Sequence, residues 1–377
     1  MIVKTNVKLN MGLSVLRKRA DGFHNIETLF VPCFDFGDTL EVITGDDYSR
    51  TSAALFAKYG DRNGRFDRFS APQEAPACST GSSTDHCKPA KEDGTEAALS
   101  GNVTRSEDGR LAQGISEDGK LMITIAREEG VDWNPLKDLC AKAYSILAQD
   151  FDLPPVKIFL EKKAPVGAGL GGGSADAAFT LKALNNLCGL GLDNQRLSEY
   201  AARLGSDCAF FVHNRPMIGT GRGEILESYE IDLSEYEIKV LIPEGVAVST
   251  AEAYKGIIPR ECHFDRFSDQ GSTKSSGGHL NLPGKQLKNN RQASGSFGEP
   301  LNQHRPQTIE PTKTTGLKEV LALPVPEWKG RLVNDFETTV FKAHPELAAI
   351  KQSLYDSGAV YASMSGSGSA LFALYRK

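Results

Sequence analysis

A glycine-rich segment in the middle of the chain constrains the fold more than any other feature. PVGAGLGGGS, residues 165–174, lies between VKIFLEKKA, which is typical of a strand, and SADAAFTLKALNNLCGL, which is typical of a helix. Glycines let backbone N–H groups surround an anion, and the first turn of a helix adds unpaired amides and the positive end of its dipole. The segment therefore predicts a phosphate-binding loop leading into a helix that begins at Ser174. The Ser174 hydroxyl would cap that helix or bind a phosphate oxygen or Mg²⁺.

Two other known loop types and a plain linker compete with this interpretation. Gly167, Gly169 and Gly172 satisfy the dinucleotide pattern G-x-G-x-x-G, and Asp193 follows the last of them by about 20 residues. However, Asp193 follows LNNLCGLGL and opens a predicted helix, whereas the dinucleotide fold needs an acid at the end of a strand. A Walker A loop is excluded because no Lys-Ser/Thr pair follows the glycines. A flexible linker is disfavoured because apolar segments flank the loop on both sides.

Composition excludes several classes of function. The 377 residues are 40% hydrophobic and 24% charged, which allows a large core and about two domains. A net charge of -5 argues against general nucleic-acid binding, which needs a basic surface. No apolar run approaches the roughly 20 residues that span a bilayer, and lysines interrupt the N-terminal MIVKTNVKLNMGL. We expect a cytoplasmic protein with no nucleic-acid or membrane partner; a monomer and a homodimer both stay open.

The seven cysteines are scattered along the chain, and we expect them to be reduced thiols. Cys78, His86 and Cys87 lie close together in the sequence. No C-x-x-C pair accompanies them, so a zinc site is disfavoured. No metal ligand is assigned from the sequence.

Two polar segments, residues 46–120 and 261–315, interrupt the periodic parts of the chain. They are rich in Ser, Gly, Pro and charged residues, and we expect mobile insertions there because too little apolar surface offsets the chain entropy. Periodicity predicts strands in residues 1–45 and in KLMITIA, VKIFLEKKA, CAFFVHN, EIKVLIP and SALFALYR. It predicts helices in LKDLCAKAYSILAQDF, in the segment after the glycine loop, in residues 194–204 and in FETTVFKAHPELAAIKQSLYDSG.

Four segments, in order along the chain, resemble the GHMP kinase superfamily. PVGAGLGGGSADAA resembles its nucleotide loop. NVKLNMGLSVLRKRADGFHNIETLF, LGSDCAFFV and ASMSGSGSALFALY resemble motifs of the 4-diphosphocytidyl-2-C-methyl-D-erythritol kinases, one family within it. The resemblance covers about two-thirds of the chain and leaves out the two insertions. One such motif would be weak evidence, but four in order are strong.

The resemblance implies a two-domain α+β fold with ATP and substrate in a cleft between the domains. Residues 1–228 would form an N-terminal domain like domain 2 of ribosomal protein S5, and residues 229–377 a ferredoxin-like C-terminal domain. The implied reaction transfers the γ-phosphate of ATP, with Mg²⁺, to the 2-hydroxyl of 4-diphosphocytidyl-2-C-methyl-D-erythritol. That step belongs to the non-mevalonate route to isoprenoid precursors.

The resemblance also implies roles for individual residues. Asp207 would be the general base and Lys8 its partner, which keeps the carboxylate ionised and stabilises charge at the hydroxyl and the γ-phosphate. Asn10 would orient the substrate hydroxyls. The strand pattern VKLN independently places Lys8 and Asn10 on one face, which suits a cleft wall and solvent equally.

The remaining implied contacts are to the cytosine and to the phosphates. Phe23 would stack on the cytosine, His24 would meet its edge, and Tyr254 would lie on its other side. A tight turn of Gly366, Ser367 and Gly368 would lie near the substrate or the phosphate loop. The residues of the ATP loop are Pro165, Val166, Gly167, Ala168, Gly169, Leu170, Gly171, Gly172, Gly173 and Ser174.

The sequence departs from the family pattern at two places. Phe23 stands where the family usually has Tyr, which keeps the stacking ring. Asp138-Leu139 replaces the usual Asn-Leu, so adenine contacts there stay open. Another GHMP kinase, of the homoserine or mevalonate type, is an alternative, but DGFH argues against it. A non-catalytic nucleotide-binding protein of the same fold is a second alternative, which the set of Lys8, Asn10 and Asp207 disfavours.

Overall fold

The computed structural model describes residues 1–44, 58–59, 99–260 and 316–377. Within them the chain has an α+β architecture of three sheets with helices packed against them. The strands are β1 (Ile2–Lys4), β2 (Val7–Lys18), β3 (His24–Cys33), β4 (Thr39–Thr44), β5 (Gly101–Arg105), β6 (Leu111–Ser116), β7 (Leu121–Arg127), β8 (Val156–Lys162), β9 (Met217–Thr220), β10 (Ile225–Ser228), β11 (Tyr236–Leu241), β12 (Tyr361–Met364) and β13 (Leu371–Arg376). The helices are α1 (Leu139–Ala148), α2 (Gly172–Leu187), α3 (Asn194–Leu204), α4 (Cys208–His213), α5 (Thr250–Tyr254), α6 (Leu317–Leu321), α7 (Glu337–Ala343) and α8 (Pro345–Asp356), with 3₁₀ turns at Pro135–Lys137 and Val325–Glu327.

The largest sheet carries the glycine loop. Its six strands run in the order β1-β4-β8-β7-β6-β5, with β7 and β8 parallel and the other neighbours antiparallel. Ile123 of β7 lies beside Ile158 of β8, and both are buried against helices α1 to α4 in one core. Because β8 and α2 are both anchored in this core, the loop that joins them is held at both ends.

Strand β2 connects the two halves of the molecule. It belongs to a four-stranded sheet of order β10-β9-β3-β2, and a bulge at Gly12 shifts its register against β3. Val7, Leu9 and Met11 project from one face of β2 into a second core, which they share with Trp328, Tyr361 and Phe372 from the C-terminal part. The C-terminal sheet has the antiparallel order β11-β13-β12.

Three predictions of secondary structure were wrong. CAFFVHN is the helix α4, because every residue from Cys208 to Val212 is buried and a short apolar run buried on all sides has no diagnostic period. The predicted C-terminal helix is two helices, since Pro345 starts α8 at its first position. Residues 99–120 are not part of a mobile insertion, because β5 and β6 extend the six-stranded sheet there.

The failure at β6 has a physical reason. Its sequence LAQGIS lacks an apolar–polar alternation, yet Leu111 and Ala112 are fully buried. The burial of Gln113 is tolerated because its amide donates a hydrogen bond to Oγ1 of Thr124 on β7, at 3.0 Å. Because β6 contains a buried glutamine and a glycine, its sequence resembles that of a polar linker.

The remaining predictions concern the cysteines, the two insertions, membrane spans and the domain boundary. Cys33, Cys140, Cys188 and Cys208 are free thiols, as expected. Cys78, His86, Cys87, most of the first predicted insertion and all of the second lie outside the described residues. None of the helices in the described part of the chain has the length and apolar character to cross a membrane. The predicted domain boundary between residues 228 and 229 lies between β10 and β11 and stays a prediction.

Asn334 fixes the C-terminal glycine turn to the rest of the fold. Its neighbours Val333 and Asp335 exchange backbone hydrogen bonds with Leu13 of β2. The buried Asn334 amide donates to the carbonyls of Met364 and Gly366, both at 2.8 Å, and its carbonyl accepts from the Phe336 backbone at 3.0 Å. One side chain therefore satisfies three buried backbone groups.

Replacing Asn334 by Ala should lower the free energy of unfolding by about 3 kcal/mol, because two buried carbonyls lose their donor. Urea denaturation monitored by circular dichroism measures this loss. Asn102→Ala, on the exposed edge strand β5, is the control and should leave the unfolding free energy almost unchanged. Equal stability of the two variants would contradict the anchoring role of Asn334.

Candidate active site

A cavity of about 1040 Å³ brings the predicted site residues together. Its wall includes the complete glycine loop and, from other elements, residues that the sequence analysis selected. These are Lys8, Asn10, Phe23, His24, Asp207, Tyr254, Gly366 and Ser367. Gly368, the last residue of the predicted glycine turn, does not line the cavity. Elements of both halves of the chain therefore form one concave surface.

The glycine loop alternates between two backbone conformations. Gly167, Gly169 and Gly171 have φ of 76°, 76° and 74°, in the left-handed region, while Ala168 and Leu170 between them are buried. Alternation of this kind turns successive N–H groups toward one concave side, which is a known way to bind anions. Helix α2 begins at Gly172, so Ser174 is its third residue and the prediction that Ser174 caps the helix was wrong.

A buried charged cluster supports the loop from below. The Lys162 ammonium lies 2.5 Å from Asp38 Oδ2 and 2.6 Å from Asp176 Oδ2, and all three side chains are buried. Asp38 also accepts hydrogen bonds from the backbone N–H groups of Lys163 and Ala164. These contacts tie the end of β8 and the first turns of α2 to the residues before β4. The loop between them is therefore rigidly placed.

Protonation in this cluster follows from burial and charge. Burial opposes the charge on Lys162, but the carboxylates of Asp176 and Asp38 outweigh it and raise the Lys162 pKa. Burial raises the pKa of Asp176 well above its usual value, against the opposing effect of Lys162. Asp38 accepts two backbone hydrogen bonds in addition to the ion pair, so its carboxylate oxygens are fully engaged in the cluster.

Lys8 and Asp207 form the ion pair that the family resemblance implies. Lys8 Nζ lies 3.2 Å from Asp207 Oδ2, and the same ammonium donates to the carbonyl of Gly169 at 3.2 Å. Lys8 is buried, whereas 29% of the Asp207 side chain is exposed toward the cavity. Asp207 stands at the N-cap position of α4, but its carboxylate makes no capping hydrogen bond. One carboxylate oxygen can therefore accept a proton from a bound molecule.

Asn10 is engaged by the protein itself. Its Oδ1 accepts a hydrogen bond from Lys8 Nζ at 2.5 Å, and its Nδ2 donates to Thr28 Oγ1 at 3.1 Å. Only 2% of the residue is exposed. Asn10 therefore holds the Lys8 ammonium in place, a role that differs from the predicted contact to substrate hydroxyls.

The C-terminal glycine turn contacts the glycine loop directly. The N–H of Ala370 donates to the Ala168 carbonyl at 3.2 Å, and the N–H of Gly368 closes a turn onto the Ser365 carbonyl at 3.0 Å. Ser365, which the sequence analysis did not select, accepts a hydrogen bond from the Asn10 N–H at 3.2 Å. The turn thus lies against the glycine loop, which is one of the two places predicted for it.

Four aromatic side chains of the cavity wall, Phe23, His24, Tyr254 and Phe336, come from the strand β3 region and from the C-terminal half of the chain. His24 and Tyr254 stack with ring centroids 4.6 Å apart, and Phe336 meets Tyr254 edge-on at 4.7 Å. Burial, followed by repulsion from Lys18, lowers the pKa of His24, so its imidazole is neutral at pH 7. Phe23 is 54% exposed, and the Arg222 guanidinium lies over its ring. The predicted cytosine residues are therefore adjacent, although His24 and Tyr254 already touch each other.

A second part of the cavity wall lies beside the glycine loop, where a Cβ at Gly173 would be 3.8 Å from Leu139 Cδ1. Trp133, Lys137, Asp138 and Leu139 line it beside the glycine loop. Asp138 caps α1 by accepting from the Cys140 N–H at 2.9 Å, and its second oxygen accepts from Trp133 Nε1 at 3.0 Å. Both carboxylate oxygens are occupied, so Asp138 shapes this wall and fixes the indole ring.

Comparison with known proteins agrees with this geometry. The sequence family described as GHMP kinases N terminal domain matches residues 138–215, and the one described as GHMP kinases C terminal matches residues 317–377. A 4-diphosphocytidyl-2-C-methyl-D-erythritol kinase of Parabacteroides distasonis is 32% identical over 377 residues, covering 100% of this chain and 92% of that protein. The corresponding kinase of Bacteroides thetaiotaomicron is 33% identical over 375 residues, covering 100% and 92%. The chain belongs to the 4-diphosphocytidyl-2-C-methyl-D-erythritol kinase family.

Two solved kinase structures share the fold of this chain. A crystal structure of 4-(cytidine 5'-diphospho)-2C-methyl-D-erythritol kinase superposes with a TM-score of 0.54 at 23% identity, covering 99% of this chain and 90% of the other. A mevalonate kinase structure gives a TM-score of 0.53 at 10% identity, covering 100% and 91%. The predicted GHMP fold class is confirmed. The sequence match runs along the whole chain, so the prediction that it covers only two-thirds was too narrow.

Two glycines of the kinase loop give a matched test of how tightly the loop is held. A Cβ at Gly169 would lie 2.4 Å from the Ser365 carbonyl oxygen, whereas a Cβ at Gly167 would meet nothing within 4 Å. Both residues have the same φ of 76°, so the backbone strain of an alanine is the same in each. Gly167→Ala should lower the unfolding free energy by about 1–2 kcal/mol, the cost of the left-handed conformation.

Gly169→Ala should cost clearly more, because it must also push residues 365–368 away from the loop. Thermal or urea unfolding of the two variants measures the difference, and the KM for ATP should rise more in Gly169→Ala. Equal losses of stability would show that the C-terminal turn is not packed against the loop as the structure describes.

Proposed function

We propose that this protein transfers the γ-phosphate of ATP to the 2-hydroxyl of 4-diphosphocytidyl-2-C-methyl-D-erythritol. One observation carries the proposal: the Lys8 ammonium lies 3.2 Å both from the Asp207 carboxylate and from the Gly169 carbonyl of the phosphate loop. A candidate base and the candidate phosphate site are therefore joined through one side chain. That is the arrangement which phosphoryl transfer to an alcohol requires.

The reaction consists of one bond made, one bond broken and one proton moved. The substrate hydroxyl oxygen bonds to the γ-phosphorus, the bond from that phosphorus to the bridging oxygen of ADP breaks, and the hydroxyl proton passes to Asp207. Lys8 stabilises the ionised Asp207 before the transfer and the negative charge on the phosphoryl oxygens during it. The N–H groups of the loop and of the first turn of α2 bind the phosphates.

Mg²⁺ would enter with the phosphates of ATP and neutralise their charge. In the described residues, no cluster of three or more His, Cys, Asp or Glu side chains could hold a metal ion by itself. This suits an ion whose ligands are mostly phosphate oxygens and water, to which the cavity-lining Ser174 hydroxyl would be the protein's contribution.

The aromatic end of the cavity fits a pyrimidine. Stacked rings lie about 3.5 Å apart, so a base cannot enter between His24 and Tyr254 while their centroids are 4.6 Å apart. The exposed ring of Phe23 is the available stacking surface, and the neutral His24 imidazole can donate or accept at the base edge.

The acceptor is tested by a coupled assay of ADP release with the diphosphocytidyl alcohol, homoserine and mevalonate. We expect turnover with the first alone. The double variant Phe23→Ala/His24→Ala should raise the KM for this alcohol roughly tenfold or more, the scale of a lost base-stacking contact, without changing the KM for ATP. Phe34→Ala, which removes a 72% exposed ring outside the cavity, is the control. Turnover of homoserine or mevalonate instead would replace the proposed acceptor.

The base is tested by Asp207→Asn. This variant should lower kcat roughly 10²-fold or more, since the carboxamide cannot take the proton, while ATP affinity is mostly retained. Asp152→Asn, at a side chain that is 96% exposed, is the matched control and should keep full activity. Unchanged turnover in Asp207→Asn would remove this residue from the mechanism.

A further inference from the structure

A glycine-flanked arginine, Arg222, lies beside Phe23 in the cavity wall, in the part that we call the acceptor end. Arg222 is in the turn between β9 and β10, with Gly221 and Gly223 on either side at φ of 68° and 115°. The Gly221 carbonyl accepts a hydrogen bond from the Ile26 N–H at 2.7 Å, which fixes the turn to β3. Arg222 lines the same cavity as Asp207 and Phe23.

The turn runs from the stacking surface to the base. The Arg222 guanidinium carbon lies 5.2 Å from the centroid of the Phe23 ring. One residue further on, a Cβ at Gly223 would lie 3.7 Å from Asp207 Oδ1. Arg222 therefore lies between the surface proposed for the pyrimidine and the carboxylate proposed for the reacting hydroxyl.

The acceptor carries its parts in the same order. In 4-diphosphocytidyl-2-C-methyl-D-erythritol, the diphosphate joins the cytidine to the sugar alcohol that bears the 2-hydroxyl. If the base stacks on Phe23 and the hydroxyl faces Asp207, the diphosphate must pass the turn that carries Arg222. A diphosphate in a partly enclosed cavity needs a cation or several N–H donors.

The other cations in the cavity wall are already engaged or lie elsewhere. Four Lys and Arg side chains line it among the described residues: Lys8, Lys137, Lys162 and Arg222. Lys8 is paired with Asp207, and Lys162 with Asp38 and Asp176. Lys137 is adjacent to Asp138 in the wall beside the glycine loop. Arg222 is the cation at the acceptor end.

The guanidinium is also largely unpaired within the described part of the chain. Its ion-pair partner is Glu224, with 3.6 Å between Arg222 Nε and Glu224 Oε1, which is longer than a charge-assisted hydrogen bond. Asp21 is a second acidic group within electrostatic range of Arg222, but its carboxylate accepts hydrogen bonds from Arg19. Glu224 Oε2 instead accepts from the Arg222 backbone N–H at 2.5 Å. The two terminal nitrogens of the fork therefore remain for an oxyanion, which is the geometry in which Arg binds phosphate.

We propose that Arg222 binds the diphosphate of the acceptor and so selects a nucleoside-diphosphate-linked alcohol. The inference rests on the proposed function. A purely structural role is the rival: the guanidinium would then only cover the Phe23 ring by a cation–π contact. The two roles differ in what they predict for a ligand with a base and no phosphate.

Calorimetric titration with cytidine and with cytidine 5'-diphosphate separates them, with a saturating non-hydrolysable ATP analogue occupying the nucleotide site. Arg222→Gln should weaken binding of cytidine 5'-diphosphate roughly 10- to 100-fold, the scale of a lost charge-assisted pair, and leave cytidine binding unchanged. Arg222→Lys keeps the charge and should lose less. The KM for the diphosphocytidyl alcohol should rise in parallel, with the KM for ATP constant.

Arg196→Gln, at an exposed arginine on α3, is the matched control, and unfolding midpoints of all variants show that they fold. Equal loss of cytidine and cytidine 5'-diphosphate binding in Arg222→Gln would overturn the inference in favour of support for Phe23, and no loss of either would overturn it outright. If the wild-type protein phosphorylates the alcohol while Arg222→Gln keeps its KM, this inference fails alone. If the wild-type protein binds no cytidine 5'-diphosphate and does not act on the alcohol, the proposed function fails as well.

Discussion

The buried ammonium of Lys8 is the interaction on which the arrangement of the site depends. It has three N–H donors, and they meet three oxygens on three different parts of the chain: Asn10 on β2, Gly169 in the loop, and Asp207 before α4. A buried charge is costly unless it is both paired and hydrogen-bonded. Removing any one oxygen would leave that cost uncompensated, so the three elements are held in one relative position.

The described residues of the C-terminal part contact the site mainly through hydrogen bonds to the backbone of other elements. Ala370 donates to the Ala168 carbonyl, and Ser365 accepts from the Asn10 N–H. The C-terminal turn therefore contacts both the glycine loop and the strand that carries Lys8. Because the Asn334 side chain holds this turn by two hydrogen bonds, the packing of the second core also determines where the glycine loop lies.

The glycine loop could be predicted because its pattern is local in sequence, whereas the roles of Lys8, Asp207, Phe23, His24 and Tyr254 came from the family resemblance. The alternation of glycines in PVGAGLGGGS and the spacing of Lys8 and Asn10 on one strand face are properties of a few consecutive residues. The Lys162 cluster and the role of Asn10 depend on contacts between distant segments, for which the sequence carries no period. Helix α4 and strand β6 were missed for a related reason. Both are buried on all sides, so neither shows the apolar–polar period that distinguishes a helix from a strand or a loop. Arg222 is recognisable in the sequence as an arginine between two glycines. Its proposed role, however, follows only from its position near Phe23 and Asp207 in the folded chain.

The charged cluster below the glycine loop places two carboxylates, Asp38 and Asp176, beneath the segment that we propose binds phosphates. An ionised Asp176 in the second turn of α2 would compete with phosphate for the positive end of the helix dipole. Burial raises the pKa of Asp176 and so opposes a second negative charge beside Asp38, while the Lys162 ammonium lies within hydrogen-bond distance of both side chains. The Thr5 hydroxyl, which donates to Asp176 Oδ1 at 3.0 Å, satisfies its other oxygen. The cluster can therefore fix the backbone of the loop while the Lys162 ammonium offsets the negative charge beneath the proposed nucleotide site.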